Sequence, residues 1–273
     1  MAYHVELHLA GKTDAGLLRA HNEDSIVVNA GHGFAILADG MGGYNAGEVA
    51  SDIATVVLAE LLEDRLQVQG WDLRPSNRSS HIHTLIVEAI NKANESILEL
   101  AQNEPQYSGM GTTLVMALFH YDKVTIAHIG DSRAYRFRQG VIEQITRDHS
   151  LVQEQIDAGL VSAELAQFSH NKNLITRALG IAQQVEADIH EYPTEVGDIY
   201  LLCSDGLTDM VSRQEIYDIV NTAGADLEAA CNTLIDRANA HGGRDNISAI
   251  LVKVQHIDTE AEGLFGRILH WMK

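Results

Sequence analysis

Apolar positions divide this chain into stretches of two different periods. Short apolar or alternating runs from Tyr3 to Leu9, Ser25 to Val28 and Phe34 to Ala38 predict three opening strands, the third running into Asp39-Gly40-Met41-Gly42-Gly43. From Gly47 the period changes: Val49, Ile53, Val56, Val57, Leu61 and Leu62 recur three and four residues apart, which predicts one face of a long helix. After a loop carrying Gly70, Trp71 and Pro75, Ser79 or Ser80 is the expected cap of a second helix, striped by Ile82, Leu85, Ile86, Ala89, Ile90, Ala93 and Ile97. Beyond Gly109 the β pattern returns from Thr112 to Phe119 and from Val124 to Ile129, and the runs Ala134 to Phe137 and Val141 to Ile145 meet at a Gln139-Gly140 hairpin turn. Residues 148–180 are polar, mixed and weakly helical, and read as an excursion over the surface. Further strands are expected from Val185 to His190 and from Ile199 to Cys203, then two short helices. Leu227, Ala230, Cys231, Leu234, Ile235 and Ala238 stripe the second of these, and Gly242-Gly243 ends it. The run from Ile247 to Val254 predicts a closing strand.

The helical segments fall in pairs between bunches of strands, so the pattern is not strict βαβ alternation. It predicts a layered α+β fold, two sheets packed together with helices outside. No linker interrupts residues 1–257, which read as one domain. Residues 258–273 read as a tail, in which Leu264, Phe265, Ile268, Leu269, Trp271 and Met272 can form a short amphipathic helix.

The 273 residues include 19 Lys and Arg against 38 Asp and Glu, a formal charge of −19, which argues against a nucleic-acid binder. With 45% hydrophobic and 21% charged residues the acidity is not that of a disordered segment. Cys203 and Cys231 lie in apolar runs and make no disulfide framework, so a reducing compartment is expected. The chain shows neither a basic-then-apolar leader nor a run long enough to cross a bilayer, and a cytoplasmic location is expected. The tail's slight positive charge, on a strongly acidic body, argues against membrane contact.

Five segments set an aspartate beside Gly, Asn or Ser, usually just beyond an apolar run: Asn22-Glu23-Asp24, Ala38-Asp39-Gly40, Gly130-Asp131-Ser132-Arg133, Ser204-Asp205-Gly206 and Arg244-Asp245-Asn246. Singly, each is ordinary turn chemistry. Strands ending at one rim would bring them together, and two carboxylates about 5 Å apart repel by roughly 3 kcal/mol at an effective dielectric of ~20. Such a cluster calls for cations. Oxygen donors without His or Cys at zinc spacing favour Mg²⁺ or Mn²⁺. Two such ions can make water nucleophilic at neutral pH and orient in-line attack on phosphorus, so hydrolysis of a phosphate ester is the expected chemistry. Arg19, five residues before Asp24, suits a phosphate, and Glu23 is placed to accept a hydrogen bond from a water on the metals. The 14 histidines are scattered: His128 on a strand and His241 before a glycine pair read as packing or capping residues.

Taken in order, these segments together with Gly11-Lys12-Thr13-Asp14, Arg19-Ala20-His21, Gly111-Thr112-Thr113, Asp148-His149-Ser150 and Thr176-Arg177-Ala178-Leu179-Gly180 resemble the metal-dependent protein phosphatases of the type 2C family, in particular the compact bacterial serine/threonine phosphatases. The resemblance implies a four-layer α/β/β/α fold, a central antiparallel β-sandwich flanked by helical pairs, with two Mn²⁺ or Mg²⁺ ions at one end. It implies that Asp39 bridges the ions and positions the nucleophilic water, that the Gly40 carbonyl binds one ion, and that Asp24, Asp205 and Asp245 complete the set. Asp131 with Asp205 would hold a third, weaker ion, Arg19 the phosphate, and residues 148–180 would be a flap beside the cleft. The implied reaction is hydrolysis of phosphoserine and phosphothreonine in proteins by a metal-bridging hydroxide, opposing a Ser/Thr kinase, in a monomer. One position departs from the pattern: many bacterial members carry histidine after Asp-Gly-Met-Gly-Gly and some eukaryotic ones carry it in place of the methionine, whereas this chain has Tyr44 and Met41. A phenol or a water on the metals is then left to protonate the leaving oxygen. A phosphoprotein-binding pseudoenzyme would lack a metal carboxylate, and none is missing; a small-molecule phosphoesterase would differ in cleft shape.

Overall fold

The computed structural model describes residues 5–43, 45–69, 75–162, 165 and 174–257. Tyr44 and the tail therefore lie outside the described residues, as does most of the middle of the 148–180 excursion.

Among the described residues eleven strands form two antiparallel sheets. In chain order they are β1 (Val5–Asp14), β2 (Asp24–Asn29), β3 (Phe34–Met41), β4 (Gly111–Thr112), β5 (Leu114–His120), β6 (Lys123–Ile129), β7 (Arg133–Arg138), β8 (Val141–Gln144), β9 (Asp188–Pro193), β10 (Ile199–Cys203) and β11 (Ile247–Ile257). One sheet has the order β1-β11-β10-β7-β8; the other has β2-β3-β5-β6-β9, with β4 paired to β3. Helices α1 (Ala46–Gln69) and α2 (Pro75–Asn103) cover the second sheet, and α5 (Arg213–Ala223) and α6 (Leu227–Ala240) cover the first. Short helices α3 (Leu151–Asp157) and α4 (Asp205–Thr208) follow β8 and β10.

The period of two along each strand sorts side chains into three cores. In β3, Phe34, Ile36 and Ala38 pack on α1 and α2, while Ala35 and Leu37 enter the space between the sheets. In β10, Leu201 and Cys203 face α5 and α6, while Tyr200 and Leu202 face inward; in β11, Ile247, Ala249 and Leu251 point out and Ile250, Val252 and Val254 point in. Each fully buried Leu, Ile or Phe contributes about 1.5–3 kcal/mol.

Several expectations shift. The stripe of α1 is centred on Ala46, Ala50, Ala54, Leu58 and Leu62, with Val49, Ile53, Val57 and Leu61 at its margins and Val56 48% exposed. Small side chains let this helix lie close to β3 and α2, and that contact outranks the larger valines. Helix α2 starts at Pro75 rather than at a serine cap, since proline suits a first turn whose N–H needs no partner. The ninth strand begins at Asp188 because pairing with β6 starts there, while Val185 and Ala187 pack on the helical side. The Gln139-Gly140 turn is as expected, with positive φ at both residues (50° and 80°).

Candidate metal centre

Between the sheets the core changes character at one end. The inward row of β3 runs Ala35, Leu37, Asp39; that of β10 runs Tyr200, Leu202, Ser204; that of β11 runs Val252, Ile250, Ser248. Asp24 stands directly opposite Asp39 in the β2–β3 register, so the two carboxylates share the inward face as cross-strand neighbours. Asp131 follows the end of β6, Asp205 the end of β10, and Asp245 precedes β11. The apolar sandwich thus opens into an acidic rim.

Asp24 is buried, and its two oxygens are treated differently. Oδ2 accepts from Ser204 Oγ at 2.8 Å and Ser248 Oγ at 2.6 Å, two hydroxyls reaching across from the other sheet. Asn22 Nδ2 donates to Thr13 Oγ1 at 2.7 Å, and Thr13 Oγ1 lies 2.7 Å from Ser248 Oγ, which extends the support to β1. Oδ1 is buried and finds no hydrogen-bond partner among the described residues.

Burial pushes the Asp39 carboxyl well above its usual range, and the charges of Asp24, Asp205, Asp131 and Asp245 add to it. Asp205 is raised in the same way, by burial first and then by Asp131, Asp209, Asp245 and Asp24. Burial lifts Asp24 and Asp131 to about 6 each. All five predicted carboxylates therefore meet in one field. Protein cations offset it little: Arg19 Nη2 donates to Asp245 Oδ2 at 2.8 Å, and Arg133 is taken up by Asp148. Divalent cations fit such a site, with an all-oxygen donor set and one buried acceptor left open.

Around these groups the backbone is fixed by residues to which the sequence assigned no role. Asp39 N donates to Thr113 Oγ1 at 3.0 Å, Thr113 N donates to Asp39 O at 2.9 Å, and Thr112 Oγ1 donates to the same carbonyl at 2.9 Å. Asn246 accepts from Glu23 N at 2.8 Å and donates to the carbonyls of Ala15 and His21 at 3.0 and 2.9 Å, clamping the loop that carries Arg19, Glu23 and Asp24. Gly40 donates to Glu23 O at 3.0 Å, and a side chain there would meet the Gly47 carbonyl oxygen at 2.1 Å, so only glycine lets these backbones cross. Glu23 is half-buried beside Gly47, and burial raises its carboxyl while Arg19 opposes the rise. Arg19 is exposed, its side chain 52% accessible. Ser248 is the one supporting residue outside the quoted motifs, and its parity with Ile250 and Val252 is the signal that could have found it.

A second group carries metal-binding residue types. Among the described residues His128, His149 and Asp188 bring potential ligand atoms within 4.8 Å of one another. Their lone pairs do not converge. The two imidazoles stack at 4.8 Å with planes 19° apart, His128 Nε2 bonds the Arg147 carbonyl at 2.8 Å, and Arg177 Nη1 donates to Asp188 at 3.1 Å. Nitrogen lone pairs lie in the ring plane, so stacked rings cannot aim at one ion. His128 is thus a packing residue, as expected, and His241 caps α6, its Nδ1 2.8 Å from Met210 O.

Comparison with known proteins places this geometry among relatives. The family model described as "Protein phosphatase 2C" matches residues 13–247. The chain is 38% identical over 250 residues to the serine/threonine phosphatase stp of Listeria monocytogenes, covering 90% of this chain and 96% of that protein. The crystal structure of the Mycobacterium tuberculosis serine/threonine phosphatase PstP/Ppp superposes with a TM-score of 0.81 at 37% identity, over 92% of this chain and 99% of that one. A structure of the PstP catalytic domain in complex with two manganese ions gives 0.79 at 36% identity, over the same shares.

Proposed function

Since the chain belongs to the protein phosphatase 2C family and is a metal-dependent serine/threonine protein phosphatase, we propose that the acidic rim is its catalytic centre. The observation that carries this is the buried Oδ1 of Asp24, without a hydrogen-bond partner, within a field of five carboxylates of which Arg19 pairs with Asp245. Asp24, Asp39, Asp205, Asp245 and the Gly40 carbonyl would hold two Mn²⁺ or Mg²⁺ ions, and Asp131 with Asp205 a third. Bound there, the ions supply an acidified water and positive charge for the phosphoryl oxygens.

The chain's own residues do the rest. Ser204 and Ser248 occupy Asp24 Oδ2 and leave Oδ1 without a hydrogen bond. Thr112 and Thr113 fix the Asp39 backbone. Arg19, exposed and already bound to a carboxylate, can exchange Asp245 for two oxygens of a phosphate. Glu23, held by Asn246, sits beside Arg19 to accept a proton or hydrogen bond from water. A thiol phosphoenzyme is disfavoured, because burial pushes Cys203 up to about 12 and Cys231 up to about 11, where neither is a thiolate.

The substrates are phosphoproteins, and phosphoserine and phosphothreonine in proteins arise by phosphoryl transfer, so a Ser/Thr kinase is the opposing enzyme on this reading. Residues 1–257 are then one monomeric catalytic domain with 148–180 as its flap and 258–273 appended. The two buried free thiols support a cytoplasmic site of action, and no helix among the described residues is long and apolar enough to cross a membrane. Hydrolysis of a phosphothreonine peptide with Mn²⁺, and its loss with chelator, tests the assignment; undiminished turnover after chelation would refute it.

A further inference from the structure

Asp131 stands on a junction that is gripped from both sides by two consecutive residues. On one side, Gly130 N donates to His149 Nδ1 at 3.2 Å, and His149 N donates back to Gly130 O at 2.9 Å. On the other, Arg133 binds Asp148 through Nε, 3.0 Å from each carboxylate oxygen, and through Nη2 at 2.6 Å from Oδ2. Between these, Ser132 Oγ lies 2.8 Å from Thr113 Oγ1, the atom that accepts from Asp39 N. The residues on either side of Asp131 are therefore fixed.

Asp148 and His149 also begin the excursion. Thr176 N donates to His149 O at 2.8 Å, Leu151 N donates to Leu174 O at 2.9 Å, and Ser150 bridges Ile175. The two ends of the excursion are thus tied together at His149. Because Nδ1 accepts from Gly130, the ring is the neutral tautomer with its proton on Nε2, which lies 3.4 Å from Asp188 Oδ2. Arg177 Nη1, also 3.4 Å from Nε2, is a donor facing a donor and is held instead by Asp188.

We propose that Asp148 and His149 are positioning residues: a two-point clamp on Gly130 and Arg133 that sets the Asp131 carboxylate and is itself braced by Leu174 to Thr176. This rests on the reading of the rim as a divalent-cation site, with Asp131 in its weakest position. The clamp holds that position through side chains beyond the strands, whereas Asp24 and Asp39 are held by strand pairing and by hydroxyls.

Two substitutions separate the halves of the imidazole. His149→Asn keeps an acceptor oxygen where Nδ1 stands and removes the reach to Asp188. His149→Gln puts its amide where Nε2 stands and removes the acceptor for Gly130. Mn²⁺ binding to metal-free protein is measured by calorimetry, with amide exchange at Gly130 and thermal melting alongside. His149→Gln is expected to weaken the weakest Mn²⁺ site about tenfold or more, and to speed exchange at Gly130. His149→Asn should stay within about threefold of wild type at that site. Wild-type isotherms for both variants overturn the clamp, and so does an equal loss in both that tracks an equal drop in melting temperature. A wild-type protein that binds no Mn²⁺ takes down the reading of the rim itself.

Discussion

Two places among the described residues gather metal-binding side chains, and they differ in how far the protein itself satisfies them. In one cluster His128 Nε2 meets a backbone carbonyl, His149 Nδ1 a backbone amide and Asp188 a guanidinium. At the rim, Asp24 spends one oxygen on two serines and leaves the other buried without a hydrogen bond, while burial and the neighbouring carboxylates raise Asp39 and Asp205. The difference lies in satisfaction rather than in residue type or spacing. A stable protein tolerates unsatisfied buried anions only where a cation completes them.

The largest effect that tests this contrast comes from Asp39→Asn. Peptide hydrolysis should fall by roughly a thousandfold or more. Without metal, however, the variant should melt higher than wild type, because one of the mutually repelling charges is gone. A lower melting temperature in metal-free protein would mean that the rim is not frustrated. Arg19→Ala should be smaller, raising KM for a phosphopeptide about tenfold with a lesser change in kcat; an unchanged KM would remove the arginine from phosphate binding.

The pH dependence sharpens the comparison further. A carboxyl whose folded pKa is raised holds extra protons in the native state, so its stabilising contribution is present below the unfolded value of 3.8 and lost as pH rises through about 6. Metal-free protein should therefore melt higher near pH 5 than near pH 7.5, with Asp24 alone worth on the order of 1 kcal/mol over that interval. Added Mn²⁺ should reverse that order, since it binds the ionised rim; a metal-free melting curve flat between the two pH values would contradict the shifts. The smallest effect is expected at the other cluster. His128→Gln keeps a donor for the Arg147 carbonyl, and calorimetry should find Mn²⁺ stoichiometry and affinity unchanged.

The sequence made the carboxylates conspicuous because several stand at the edge of an apolar run: Asp39 after Phe34 to Ala38, and Asp205 just beyond Ile199 to Cys203. What it hid were the residues that differ from their neighbours only by parity. Ser204 and Ser248 read as small polar residues at strand ends until the register of β10 and β11 turns them toward Asp24. Asn246 was visible as part of Arg244-Asp245-Asn246, yet its three contacts reach residues more than two hundred positions away, and no local pattern encodes such a separation. The layered fold was legible in the helical stripes, α2 and α6 most completely. The rotation of α1 onto its alanines was not, because hydrophobicity reports how apolar a side chain is and is silent on how near two backbones must come.

The ladder between β1 and β11 runs from Asp14 and Ile247 at the rim to Val5 opposite Ile257 at the other end, about 30 Å away by strand rise. Val5 and Ile257 are thus neighbours at the pole remote from catalysis. A short peptide joining them, with new termini opened at the Gln139-Gly140 turn, should give a circular permutant whose cleft is undisturbed, and a sensor or tether grafted at that pole would leave the approach of a bulky substrate unobstructed.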